Sequence, residues 1–189
     1  TPIVMNGRLY VMARAEPETA REGERIVCLD AVTGKTIWEN RFNVWLSDVP
    51  DTRVGWSSVT GDPETGYLYA INVDGYLNCF DREGSIVWSW RLGEDLGRAN
   101  GYGGRTSNPV IDENRLLLSI IGSGWGDRAG APRHRYMALD KETGEILWFS
   151  TPGQAPADMN AQSVPIVAVI AGQRLIIDGG ADGTVYALR

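Results

Sequence analysis

The stretch Y-M-A-L-D-K-E-T-G-E-I-L-W, Tyr136–Trp148, decides the fold because the chain writes it more than once. C-L-D-A-V-T-G-K-T-I-W ends at Trp38 and C-F-D-R-E-G-S-I-V-W ends at Trp88, while T-V-Y-A-L from Thr184 begins a further copy and runs to Arg189. Each copy reads as strand, tight turn, strand. A spacing of about 50 to 60 residues is that of a β-propeller built from four-stranded antiparallel blades.

Working outward from the repeats gives a regular A-B-C-D cycle of strands. The innermost A strands are T-P-I-V-M from Thr1, S-S-V-T from Ser57, N-P-V-I from Asn108 and V-P-I-V-A-V from Val164. The B strands R-L-Y-V-M, Y-L-Y-A-I, R-L-L-L-S-I and R-L-I-I follow, apolar runs of strand length. C strands lead into the repeat aspartate and D strands carry the tryptophan. Asp74-Gly75 and Asp182-Gly183 predict two-residue B–C hairpins. The expected fold is all-β, one partial propeller domain over 1–189 with blades near 1–43, 55–92, 106–151 and 162–189, the last incomplete. We expect it to be about half of a seven- or eight-bladed disc, so the rest of its own propeller is one predicted partner.

The D-x-x-T-G turn has a physical logic that needs no ligand. A carboxylate and a hydroxyl ahead of glycine accept N–H groups within the turn, and the glycine supplies positive φ as the chain reverses. Asp30, Asp81 and Asp140 are therefore assigned to C–D turns, and Trp38, Trp88 and Trp148 to packing between blades. Cys28, Cys79, Ala138 and Ala187 occupy one repeat position and all are small. That predicts a crowded inward site and two free, buried thiols.

Composition places limits on function. The chain holds 18 basic and 24 acidic residues, a net charge of −6, which argues against a nucleic-acid partner. No apolar run reaches the length of a membrane span, so membrane insertion is not expected. Glycine, at 23 of 189 residues, suits a fold with a tight turn every few residues. The single histidine, His134, has no second histidine or cysteine at metal-ligand spacing and leaves a Ser-His-acid triad little to draw on. No catalytic or metal-binding residue is predicted.

At Tyr136–Trp148 the sequence resembles the pyrroloquinoline-quinone-like (PQQ-like) β-propeller repeat family, with its tryptophan-docking motif. That family includes periplasmic quinoprotein dehydrogenases, a lipoprotein scaffold of the outer-membrane assembly machine, and many periplasmic or secreted proteins. The resemblance therefore implies a periplasmic or extracellular location. In the dehydrogenases the quinone lies on the propeller axis beside Ca²⁺, with a vicinal Cys-Cys disulfide against its ring. This sequence has no adjacent cysteines. PQQ and Ca²⁺ are thus not supported by specific residues here, and no cofactor is predicted.

Loop length points to a recognition face. The A–B and C–D connections are short, whereas several D–A and B–C connections are long, and in a meandering blade these two emerge on one rim of the disc. They carry Trp45, Trp56, Tyr102, Arg105, Trp125 and Arg128, the side-chain types that dominate binding hot spots. Two function classes follow. The first is a non-catalytic binding or scaffold propeller that recognises a protein, peptide or glycan through this rim. The alternative is a quinoprotein-like oxidoreductase holding PQQ and Ca²⁺ on the axis.

Overall fold

The computed structural model describes residues 1–44, 53–96, 107–122, 133–152, 163–180 and 183–189, with backbone alone at 121–122 and 133–135. Strands β1 (Ile3–Met5), β2 (Arg8–Ala15), β3 (Gly23–Asp30) and β4 (Thr36–Asn43) form the first antiparallel sheet. The second comprises β5 (Val59–Gly61), β6 (Leu68–Ile71), β7 (Tyr76–Phe80) and β8 (Ile86–Arg91). A single helical turn, α1 (Leu92–Asp95), follows it, where the sequence suggested only loop. The third sheet is β9 (Val110–Asp112), β10 (Arg115–Gly122), β11 (Arg133–Asp140) and β12 (Ile146–Ser150). The fourth has three strands, β13 (Ile166–Ile170), β14 (Gln173–Gly179) and β15 (Val185–Leu188). Every sheet is a meander in chain order, because each connection is too short to cross over.

Strand alternation sends one set of side chains to each neighbour. Tyr10, Ile26 and Cys28 of the first sheet pack on Val59, Leu68, Ala70 and Phe80 of the second. Tyr69, Leu77 and Cys79 of the second pack on Leu116, Leu118, Met137 and Leu139 of the third. A smaller cluster, Leu117, Ala138 and Ile176, joins the third sheet to the fourth. The core is thus a series of interblade layers, as in a propeller. The B–C loop of the first blade, expected from the sequence to run from Ala13 to Glu24, is shorter, since β2 runs on to Ala15 and β3 starts at Gly23.

The two Asp-Gly turns differ from the two-residue hairpins predicted. Gly75 N–H donates to the Asn72 carbonyl at 3.0 Å and Asn72 N–H to the Tyr76 carbonyl at 3.0 Å, so the loop has a third residue, Val73. A type I turn closed by a left-handed residue gives this geometry, and it needs positive φ only at Gly75. Asp74 is thereby free of that requirement. The bonds Gly183 N–H to Gly180 carbonyl (3.1 Å) and Gly180 N–H to Thr184 carbonyl (2.7 Å) repeat the pattern.

The repeat residues build the joints. Asp30 Oδ1 accepts the N–H groups of Val32 and Thr33 and the Thr33 hydroxyl, the last two at 2.7 Å. Asp140 does the same with Glu142 and Thr143, and Asp81 accepts from Glu83 and Ser85. These backbone donors hold the Asp30 and Asp140 carboxyls below the usual carboxylate range. Each tryptophan lies opposite the small repeat residue: Trp38 pairs with Cys28, Trp88 with Cys79 and Trp148 with Ala138. In all three blades the register shifts right after that pair. The shift leaves Ile37, Val87 and Leu147 as exposed apolar residues beside the tryptophans.

The tryptophans reach into the next blade. Trp38 Nε1–H donates to the Arg82 carbonyl at 2.9 Å, and Trp88 Nε1–H to the Lys141 carbonyl at 3.2 Å. Tyr69 Oη–H donates to the same Lys141 carbonyl at 2.9 Å. The Lys141 amine lies 2.8 Å from Asp62 and 3.0 Å from Glu64, in the β5–β6 turn. That turn is itself D-P-E-T-G, Asp62–Gly66, the repeat motif reused at an A–B position. Burial would push the Asp62 carboxyl up, but Lys141, Thr65 and the Glu64 N–H together hold it below the usual range. At the next joint Asp112, at the end of β9, takes the same role and accepts from Arg174 Nε at 2.8 Å.

Candidate functional site

The rim where D–A and B–C connections emerge is described in its first half. The B–C loop at 16–22 is tied down by Glu22, which lies 2.5 Å from Arg14, and by Glu16, which accepts from Arg41. These arginines hold both carboxyls below the ordinary value. The first and second blades leave a cleft of about 430 Å³ between them, lined by Arg41, Phe42, Asn43, Val44, Asn72, Asp74 and Tyr76. Tyr76 carries the Arg91 guanidinium 5.8 Å from its ring centroid. The cleft therefore offers amide, carboxylate, guanidinium and aromatic groups side by side.

Trp56, on the same rim, has 57% of its surface exposed. Its N–H closes a turn onto the Arg53 carbonyl at 3.2 Å, and the Arg53 guanidinium lies over its ring at 5.4 Å. Gly55 within that turn has φ +76, and a Cβ there would lie 2.3 Å from the Arg14 backbone nitrogen. The loop thus rests directly on β2. Of the sequence-predicted face, Trp56 alone is described; Trp45, Tyr102, Arg105, Trp125 and Arg128 lie outside the described residues.

Beneath the turn sits a residue the sequence reading missed. Glu24, at the start of β3, has no exposed surface. Its Oε1 accepts Gly55 N–H at 2.7 Å and its Oε2 accepts Val73 N–H at 2.8 Å. Burial pushes its carboxyl above the usual range, the two backbone donors opposing. The only signal in the sequence was a glutamate two residues ahead of the apolar run Ile26–Leu29 of a C strand, which reads equally well as a solvated strand end. Lys141 and Asp62 were missed likewise, although D-P-E-T-G at Asp62–Gly66 was a visible copy of the repeat turn.

The quinoprotein arrangement does not fit the residues present. A vicinal disulfide needs adjacent cysteines, whereas Cys28 and Cys79 are free thiols buried in the cores of two different interblade layers. Burial, then the charges of Asp81 and Asp62, push the Cys79 thiol up to about 12. Among the described residues no group of three or more His, Cys, Asp or Glu side chains is placed to hold a metal ion. No helix among them is long and apolar enough to cross a membrane.

A family model described as outer membrane protein assembly factor BamB matches residues 44–189, more than half of the chain. No curated protein sequence matches it. Among solved structures, a quinohemoprotein alcohol dehydrogenase from Pseudomonas putida is similar with a TM-score of 0.61 at 18% identity, over 98% of this chain and 32% of that one. Saccharomyces cerevisiae Sqt1 is similar with a TM-score of 0.60 at 11% identity, over 95% of this chain and 45% of that one. A europium-containing methanol dehydrogenase has a TM-score of 0.54 at 16% identity, over 79% of this chain and 24% of that one. The chain spans less than half the length of each of these structures. At such identities the likeness is one of fold.

Proposed function

The chain belongs to the propeller-repeat family of the outer membrane protein assembly factor BamB, and from that premise we propose that it is a non-catalytic binding or scaffold domain. Its D–A/B–C rim holds a partner, a protein or peptide before a glycan, in the periplasm or outside the cell. The observation that supports this reading is the exposed Trp56 with the Arg53 guanidinium over its ring, on the same rim as a polar cleft between two blades. An indole left that open to water, paired with arginine, is the chemistry of an interface hot spot. Trp45, Tyr102, Arg105, Trp125 and Arg128 complete the proposed face.

The rest of a larger propeller is the second proposed partner. Val4 in the first blade is 69% exposed and Ile166 in the fourth is 60% exposed, while their strand neighbours Met5 and Val167 face the interblade cores. Further blades would cover them.

The rim reading is tested by placing a photo-crosslinking amino acid at position 56 and, separately, at position 32 in the β3–β4 turn on the opposite rim. Irradiation of cells should yield discrete protein adducts from position 56 that disappear when Arg53→Ala is added. Equal adducts from both positions, or none from position 56, would reject this face.

A further inference from the structure

Among the described residues, Glu24 differs from the other buried carboxylates that brace a joint in having two backbone groups, and no cation, as its partners. Lys141 meets Asp62 and Arg174 meets Asp112, but Glu24 is met by two N–H groups from two separate connections. One is Gly55, in the turn that carries Arg53 and Trp56; the other is Val73, in the turn that contributes Asn72 and Asp74 to the cleft. Both donors are brought to a single side chain that has no exposed surface. Water has no access to replace it.

The chemistry required is specific to a carboxylate. Two acceptor oxygens can each take one N–H, whereas an amide offers one oxygen and turns a donor toward the second N–H. An apolar side chain would leave both donors unpaired in a dry site. The sheets do not depend on this contact, since β3 is laddered along its whole length to β2 and β4. What depends on it is the placement of two loops relative to each other and to the first blade. Gly55 packs its bare backbone against β2, where a Cβ would lie 2.3 Å from the Arg14 nitrogen.

Resting on the rim reading above, we propose that Glu24 is the positioning residue of the recognition face, fixing the Arg53–Trp56 turn relative to the 72–75 turn, which lines the cleft. It acts through those loops and does not itself touch a partner.

The test uses the whole chain and needs no ligand. In the unaltered protein, the amides of Gly55 and Val73 should exchange with solvent as slowly as ladder amides of β3 and β7, although both lie in connections. Glu24→Gln should speed exchange at those two amides on the order of tenfold or more. It should also move the fluorine resonance of 5-fluorotryptophan at position 56, assigned with Trp56→Phe, while β3 and β7 amides keep their rates. Loop-like exchange at Gly55 and Val73 in the unaltered protein would overturn the proposal, as would unchanged rates and an unmoved Trp56 signal in Glu24→Gln. Uniform loss of protection across all sheets would also overturn it, by making Glu24 a general stability residue. Failure of crosslinking from position 56 would remove the rim reading and leave these exchange results standing on their own.

Discussion

The indole of Trp38 lies flat on Gly84 of the next blade, so close that a Cβ on that glycine would sit 2.6 Å from the indole Cδ2. Trp88 and Gly144 repeat the relationship at the same 2.6 Å. The glycine of the C–D turn therefore does two things at once. It adopts positive φ, and it presents a bare backbone for the neighbouring tryptophan.

Substitution separates the two roles. Gly34 has the same positive φ as its counterparts, but a Cβ added there would meet nothing within 4 Å. Gly34→Ala should therefore cost only the conformational term, about 1 kcal/mol. Gly84→Ala and Gly144→Ala should cost at least about twice that, because the indole must also give way. Urea midpoints of the three variants check the ordering, and equal costs would refute it.

The tryptophans themselves should differ. Trp38 and Trp88 are half-buried, each with its N–H donated across the joint, so alanine there should cost about 2 to 3 kcal/mol, below the range for fully buried indoles. Trp148 packs on the small Leu117, Ala138 and Ile176 cluster instead. Trp148→Ala should be the mildest of the three in the same melts.

Lys141→Met should destabilise by roughly 3 kcal/mol, since it strands the buried Asp62 carboxylate without its cation. The pair also sets a pH window. The Asp62 carboxyl is lowered from 3.8 in the folded chain, so its contribution is present above that value and lost as pH falls through the lower folded one. Lys141, bonded to Asp62, is raised from 10.5, so its contribution is present below that value and lost as pH rises through the higher folded one. The stability difference between the unaltered chain and Lys141→Met should thus be flat from about pH 5 to 9 and shrink beyond either end.

Both cysteines should be chemically silent in the folded chain. Cys28 and Cys79 are fully buried, and thiolate is the reactive form, which burial suppresses in each. A disulfide-exchange reagent at pH 8 should label neither thiol until urea is added and both thereafter. Labelling of Cys79 before unfolding would contradict the packed interblade layer.

Strands, turns and the family were legible in the sequence because their determinants are local. Alternation in R-L-Y-V-M and R-L-L-L-S-I, the Asp-Gly turns and the D-x-x-T-G segments act within a few residues, and they repeat. Even there, the third residue of the Asn72–Tyr76 turn and the one-residue bulge before each tryptophan escaped notice. Both depend on how hydrogen bonds are shared between strands, which residue identity does not reveal.

The sequence alone determined that this chain makes propeller blades with small residues beside tryptophans. Only the tertiary structure decided what those blades do to one another. Glu24 reads as a surface glutamate until Val73, 49 residues away, donates to it, and Lys141 reads as a solvated turn lysine until Glu64, 77 residues away, and Asp62 enclose it. Burial and charge pairing are properties of contact across blades, and a contact between residues so far apart in the chain exists only once the sheets have stacked.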